Sequence, residues 1–130
     1  MRLTDCPRDA MQGIKTLIPT SRKTEYLNLL LQAGFDLLDF GSFVSAAAIP
    51  QMADTRQVAD ELITENTHTQ LLAIAGNLRG AREAASIAKI DWIGFPFSVS
   101  DTFLKLNLHS NLAKAYADVC AIQNLCVQQG

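Results

Sequence analysis

The stretch that most restricts how this chain can fold is LLAIAGN, Leu71 to Asn77, followed at once by RGAREAASIAKI. A continuous apolar run without alternation is the pattern of a strand covered on both faces, and the residues after it favour helix. The same order, strand then helix, recurs along the sequence. Leu3 to Cys6 reads as a short strand ahead of Pro7 and a polar cluster. SRKTEYLNLLLQAG, Ser21 to Gly34, predicts a helix with Tyr26, Leu27, Leu30 and Ala33 at helical spacing, capped by Thr20 or Ser21 and closed by the glycine. FDLLDFGSF is a second strand, with Leu37 and Asp39 on one side and Asp36 and Leu38 on the other. A second helix follows from Thr55 to near Glu65. WIGFPFSVS is a fourth strand, with Pro96 near its end, where a missing backbone donor costs least. The last helix is capped by Ser110 and carries an apolar stripe of Leu112, Tyr116, Val119, Ile122 and Cys126.

Four strand-then-helix units with short connections specify an α/β fold with a parallel sheet and right-handed crossovers. A closed (β/α)8 TIM barrel takes about 250 residues. The 130 residues here therefore correspond to about four of eight units, an incomplete barrel forming a single domain over residues 1–130. No glycine spacing matches a dinucleotide fingerprint or a phosphate loop.

Composition narrows the functional classes. A net charge of -2 and 48% hydrophobic residues fit a globular domain and argue against disorder. The basic residues form no stripe, which points away from a nucleic-acid partner. The longest uncharged stretch, Phe40 to Ala53, falls short of the roughly 18 apolar residues of a membrane span. The opening residues lack the charged-then-apolar pattern of a signal peptide, so a cytoplasmic location is expected. Cys6, Cys120 and Cys126 form no CxxC and read as unpaired, with Cys120 and Cys126 packed as small hydrophobes.

Polar residues gather where the strands hand over to helices. Arg8 and Asp9 follow the first strand and Asp39 and Ser42 close the second. Asn77 and Arg79 follow the third, and Ser98 and Ser100 close the fourth. In parallel α/β folds these carboxyl-terminal edges converge on the ligand. Asp9 and Asp39 suit a hard divalent cation, and Arg8 offers a fixed fork to a carboxylate, carbonyl or enolate oxygen. An aspartate beside an arginine also reads as a plain ion pair. The imidazoles available, His68 and His109, lie in no HxH or HExxH, so as a free-standing metal site the sequence is incomplete.

TDCPRDAMQG, AGFDLLDFGSFVS, IPQMADT and GNLRG, with the run from Ser100 to Asn107, resemble in order and spacing the N-terminal half of the hydroxymethylglutaryl-CoA lyase family. Those are metal-dependent lyases on a TIM barrel marked by an Arg-Asp pair after the first strand. The resemblance implies Asp9 as a ligand to Mg2+ or Mn2+, and Arg8 as the arginine that steadies the substrate and the oxyanion formed on carbon-carbon cleavage. It implies Gln12 and Ser42 at the substrate pocket, Asp39 near the catalytic centre in place of the usual glutamate, and Asn77 and Asn107 in substrate-binding loops. The reaction implied is retro-Claisen cleavage of 3-hydroxy-3-methylglutaryl-CoA to acetyl-CoA and acetoacetate, with an acyl-CoA as substrate.

The family's HxH ligands, a further asparagine ligand and the glycine-rich loop with its catalytic cysteine belong to later strands. The expectation is therefore a lyase-type half-barrel that is inactive alone, associating with a C-terminal half-barrel or with itself. A non-catalytic acyl-CoA or metal-binding module is one alternative, and a related aldolase or Claisen synthase is another.

Overall fold

The structure, a computed structural model, describes residues 1–129. β1 (Thr4–Asp5) leads into α1 (Pro7–Gln12) and α2 (Thr20–Ala33). β2 (Leu37–Phe43) is followed by a 3-10 turn (Pro50–Met52) and α3 (Thr55–Glu61). Next come β3 (Gln70–Ala75), α4 (Leu78–Ala85), β4 (Trp92–Gly94), α5 (Asp101–Leu108) and α6 (Leu112–Gln129). The four strands form one sheet in the order β1-β2-β3-β4, every pair parallel. Sequential parallel order is what strand-helix-strand units of one hand produce, and it leaves β1 and β4 as edges among the described residues.

The sheet has two unlike faces. Strand partners in register point the same way, so Leu38 with Leu71, Gly41 with Ala73, and Phe43 with Ala75 define one face. Leu38, Phe43, Leu71, Ala73 and Ala75 are all buried, and they pack with Leu27 and Leu31 of α2, Val58 and Ala59 of α3, and Ala81 and Ala84 of α4. Leu37, Leu72 and Ile74 lie on the opposite face and are only partly covered, with Trp92 beside Leu72 exposed. The helices thus cover the outer face, while the inner face, which would line a barrel, stays half open.

Local chemistry moves several expected boundaries. Thr20 is the first residue of α2 rather than its cap, which is Pro19, because the Thr20 hydroxyl donates to Asp54 Oδ2 (2.7 Å). The buried stripe of α2 is Lys23, Thr24, Leu27 and Leu31; Tyr26 and Ala33 face solvent. Gly34 does close the helix, in the left-handed conformation at φ 82°. α3 stops at Glu61, where the Lys89 ammonium donates to the carbonyls of Ala59, Asp60 and Leu62 and ends the helix. β4 is limited to Trp92–Gly94, short of the expected WIGFPFSVS strand. Residues 101–108 form a helix that sequence reasoning did not anticipate, capped by Ser100, whose Oγ accepts from Phe103 N.

The last helix is capped by Asn111 rather than Ser110: Asn111 Oδ1 accepts from Lys114 N at 2.9 Å. Its stripe is also displaced. Ala115 and Ile122 are buried, Ile122 against Ala75 and Ala81, while Leu112, Tyr116 and Cys126 are exposed. Cys120 is half-buried, so neither cysteine of this helix is the core hydrophobe expected.

Candidate functional site

α1 is a short helix of six residues opened by Pro7, whose fixed φ and missing N–H suit a first helical position. At that spacing Arg8 and Gln12 lie one above the other, with Asp9 beside them. Arg8 Nη1 donates to Asp9 Oδ1 and to Gln12 Oε1, each at 3.1 Å, and Gln12 Nε2 donates to Asp9 Oδ1 at 2.8 Å. The rest of the guanidinium turns to β2. Arg8 Nε donates to both oxygens of Asp39 at 3.2 Å, and Nη2 donates to Asp39 Oδ2 at 2.6 Å. Of the five guanidinium N–H groups, one on Nη2 has no partner among the described residues.

Burial separates the two aspartates. The Asp39 side chain is 4% exposed and that of Asp9 65% exposed. Burial pushes the Asp39 carboxyl above the usual carboxylate range, against the hydrogen bonds and charge of Arg8, and the charge of Asp9 adds to the rise. Burial alone would lower the Arg8 guanidinium, but Asp39 outweighs it and holds Arg8 more firmly charged than usual. Cys6, the residue before α1, has its thiol raised by burial first and Asp39 second. That thiol is an inert neighbour rather than an activated nucleophile.

The placing of Asp39 and Ser42 depends on an irregularity. Asp39 pairs with Leu72, Gly41 with Ala73 and Ser42 with Ile74, so Phe40 is an extra residue in β2. Strict alternation would put Asp39 and Ser42 on opposite faces. The bulge puts both on the inner face, but only Ser42 lies at the carboxyl end of the strand; Asp39, expected to close it, is the third of its seven residues. Thr55 supports it from below: its hydroxyl accepts from Ser42 N (3.2 Å) and donates to Met52 O (2.8 Å). A Cβ on Gly41 would lie 2.5 Å from Thr55 Cγ2, so this strand residue must be glycine for the threonine to fit.

Ser42 Oγ is buried and has no hydrogen-bond partner, the single such side-chain atom found among the described residues. An orphaned buried hydroxyl at a strand end is the kind of group a ligand satisfies.

The other expected site residues lie apart from Arg8. Asn77 Oδ1 accepts from Gly80 N at 3.0 Å and caps α4. Asn107 Nδ2 donates to Phe103 O at 3.0 Å on the exposed side of α5. Ser42 and Asn77 share the wall of a cleft of about 330 Å³ with Val44, Thr55, Arg56 and Arg79, which neither Arg8 nor Asp39 lines. His109 closes α5 with a left-handed backbone, and no group of three or more His, Cys, Asp or Glu side chains converges on a metal position among the described residues. A divalent cation takes about six oxygens. Asp9 is suited to supply one, and the described residues gather no cluster for the remainder.

No family model matches the chain. It is 30% identical over 109 residues to the cytoplasmic 3-hydroxy-3-methylglutaryl-CoA lyase of Rattus norvegicus and 31% identical over 109 residues to the mitochondrial hydroxymethylglutaryl-CoA lyase of Arabidopsis thaliana. Each alignment covers 84% of the chain, but only 31% and 23% of those relatives. The chain thus spans a third or less of the curated relatives it matches in these two cases. Among solved structures, the HMG-CoA lyase of Brucella melitensis superposes with a TM-score of 0.91 at 25% identity, over 99% of this chain and 45% of that one. The Acinetobacter baumannii HMG-CoA lyase, solved with coenzyme A and 3-methylmalate, superposes at 0.88 with 28% identity, over 95% and 41%. The four-stranded parallel sheet and its helices therefore reproduce part of the TIM-barrel fold of those lyases. The relatives' names include both cytoplasmic and mitochondrial forms, and no helix among the described residues is long and apolar enough to cross a membrane.

Proposed function

Taking the chain as homologous to part of the hydroxymethylglutaryl-CoA lyases, we propose that residues 1–130 are the N-terminal half of a barrel of that type, serving cleavage of 3-hydroxy-3-methylglutaryl-CoA in the cytoplasm. The observation that carries this reading is the guanidinium of Arg8, just after the carboxyl end of β1, fixed by Asp9, Gln12 and by Asp39 within β2, with one N–H on Nη2 without a partner among the described residues.

In the reaction, a base takes the proton of the 3-hydroxyl and the C–O bond becomes a carbonyl. The adjacent C–C bond breaks, and its electrons form the thioester enolate, which is protonated to acetyl-CoA as acetoacetate leaves. The free Nη2–H of Arg8 is suited to the negative oxygen that develops, and a donor already held in place need not reorganise during the reaction. Asp39, both of whose oxygens accept from Arg8, orients that donor and is otherwise occupied. The base comes from residues outside the chain.

Asp9, exposed at the same edge, would give one oxygen to Mg2+ or Mn2+, an ion that supplies Lewis-acid polarisation of substrate oxygens when bound. Gln12 and the orphaned Ser42 hydroxyl are offered to the substrate, and Asn77 and Asn107 to its loops. The chain alone is inactive on this reading, and gains activity with a C-terminal half-barrel. A non-catalytic acyl-CoA-binding module is the second reading, favoured by the near-complete satisfaction of Arg8 within the chain itself.

Co-expression with the portion of a relative lyase that the chain does not match separates the two. Release of acetoacetate from 3-hydroxy-3-methylglutaryl-CoA by the assembled pair, and by neither part alone, is the expected result. A folded pair that binds acyl-CoA without turnover would leave the module.

A further inference from the structure

A second polar group, away from Arg8, grips the chain just after α1. Gln51, in the 3-10 turn, is 2% exposed, yet its side chain is almost fully used. Nε2 donates to the carbonyls of Ile14 and Thr16, each at 3.0 Å, and Oε1 accepts from Ile18 N at 2.9 Å. All three partners lie in residues 14–18, the connection that leaves α1 and has no regular structure of its own.

The grip is itself anchored. Lys23, 4% exposed on α2, donates from Nζ to the Gln51 carbonyl and to Asp54 Oδ1 (2.7 Å), and Asp54 Oδ2 accepts from Thr20. A buried amine paired twice in this way is costly to disturb, because removing one partner strands the other away from water.

α1 needs such support. Six residues are too few to hold a helix unaided, and Cys6 offers no side-chain cap. At its start, β1 pairs with β2 over two residues only. Met11 of α1 and Met52 of the 3-10 turn are both buried and the two elements touch, but apolar packing does not fix the rotation of a short helix. We propose that Gln51 is a positioning residue: by holding residues 14–18 it sets the seat of α1, and so the alignment of Arg8, Asp9 and Gln12 with Asp39. The importance of that alignment rests on the lyase reading, whereas the test needs no substrate.

The readout is hydrogen exchange at Arg8 Nε, whose proton is held by Asp39, compared by NMR with the backbone amides of β3 in the same sample. Gln51→Met keeps the volume and removes every hydrogen bond. It should speed Arg8 Nε exchange by about tenfold or more relative to β3, the scale of one to two lost hydrogen bonds. Gln51→Glu removes both donors but keeps the shape, and should act in the same direction, which serves if the methionine variant does not fold. Thr24→Val, which removes the hydroxyl contacts with the Thr20 carbonyl and with Glu61 of α3 but leaves the side-chain bonds of Gln51 and Lys23, should change Arg8 and β3 exchange together or not at all. Arg8 exchange that merely follows β3 in the Gln51 variants would overturn the proposal. That outcome would leave the lyase reading standing, and an inactive assembled barrel would leave the clamp standing.

Discussion

The two faces of the sheet differ in what completes them. On the outer face, Leu71 and Ala73 are fully buried under this chain's own helices, and α4 approaches β2 so closely that a Cβ on Gly80 would lie 2.2 Å from the Phe43 carbonyl. On the inner face, Leu72 and Ile74 remain partly exposed and Trp92 lies open to solvent beneath the guanidinium of Arg2, 5.8 Å from the ring centre. The outer face behaves as a finished core. The inner face behaves as half of one, made polar by Asp39 within β2 and Ser42 near its carboxyl end. One layer of the sheet is therefore closed by this chain's own helices while the other is not.

Neighbouring residues of β3 offer the sharpest way to break that contrast. Leu71→Ala should cost about 3 kcal/mol, the transfer loss plus a cavity that fixed helices cannot collapse. Leu72→Ala, on the open face, should cost less, about 1 to 2 kcal/mol, because part of its surface is already exposed and the site can relax. Urea unfolding monitored by circular dichroism measures both, and equal losses would mean that the inner face is a core in its own right.

Two glycines extend the comparison with a smaller effect. Gly80→Ala drives a methyl into backbone that cannot yield and should destabilise by about 2 kcal/mol. At Gly94 the new methyl would meet Ile74 Cδ1 at 2.6 Å, the flexible end of a half-open side chain. Gly94→Ala should therefore cost under about 1 kcal/mol, and a reversed order of melting temperatures would contradict the assignment of faces.

The smallest effect is electrostatic. Asp39 has its folded carboxyl raised by burial, so its contribution to stability is fully present below the unfolded value, about 3.9, and is lost as pH rises through the folded value. The stability of the chain relative to Asp39→Asn should accordingly fall as pH rises from about 4 toward neutrality. A relative stability that rises over that window would show that the Arg8 contact outweighs burial.

These contrasts also explain what could be read in advance. The order of strands and helices was legible because β3 is an unbroken apolar run and each strand is followed by helix-forming residues. Arg8 and Asp9 were legible as a pair after the first strand, whereas Gln12 joined them only through the family resemblance, because the short helix Pro7–Gln12 that stacks it on Arg8 was not anticipated. Their union with Asp39 was legible only as strand ends sharing an edge, since the contact spans 31 residues.

The shared face of Asp39 and Ser42 was hidden by the bulge at Phe40, which depends on Thr55 lying under Gly41, a tertiary fact. α5 escaped notice because one buried leucine, Leu104, leaves too little periodicity to register. The stripe of α6 was misplaced because small Ala115 marks the buried side, whereas the larger Leu112 and Tyr116, which dominate a hydrophobic pattern, face outward. Gln51 carried no signal beyond belonging to IPQMADT, because its work is done on backbone atoms that no side-chain pattern reveals.

The measurement that bears most directly on the central claim is the turnover of Arg8→Lys in the barrel assembled with the unmatched part of a relative lyase. Lysine keeps the charge but cannot hold Asp39, Asp9 and Gln12 while offering a further N–H to an enolate oxygen. kcat for acetoacetate release should fall by a factor of about 100 or more with KM little changed, the scale of losing one oxyanion donor. Near-normal turnover in a variant with an unchanged melting temperature would contradict it, and would leave Arg8 as an ion-paired support for two aspartates.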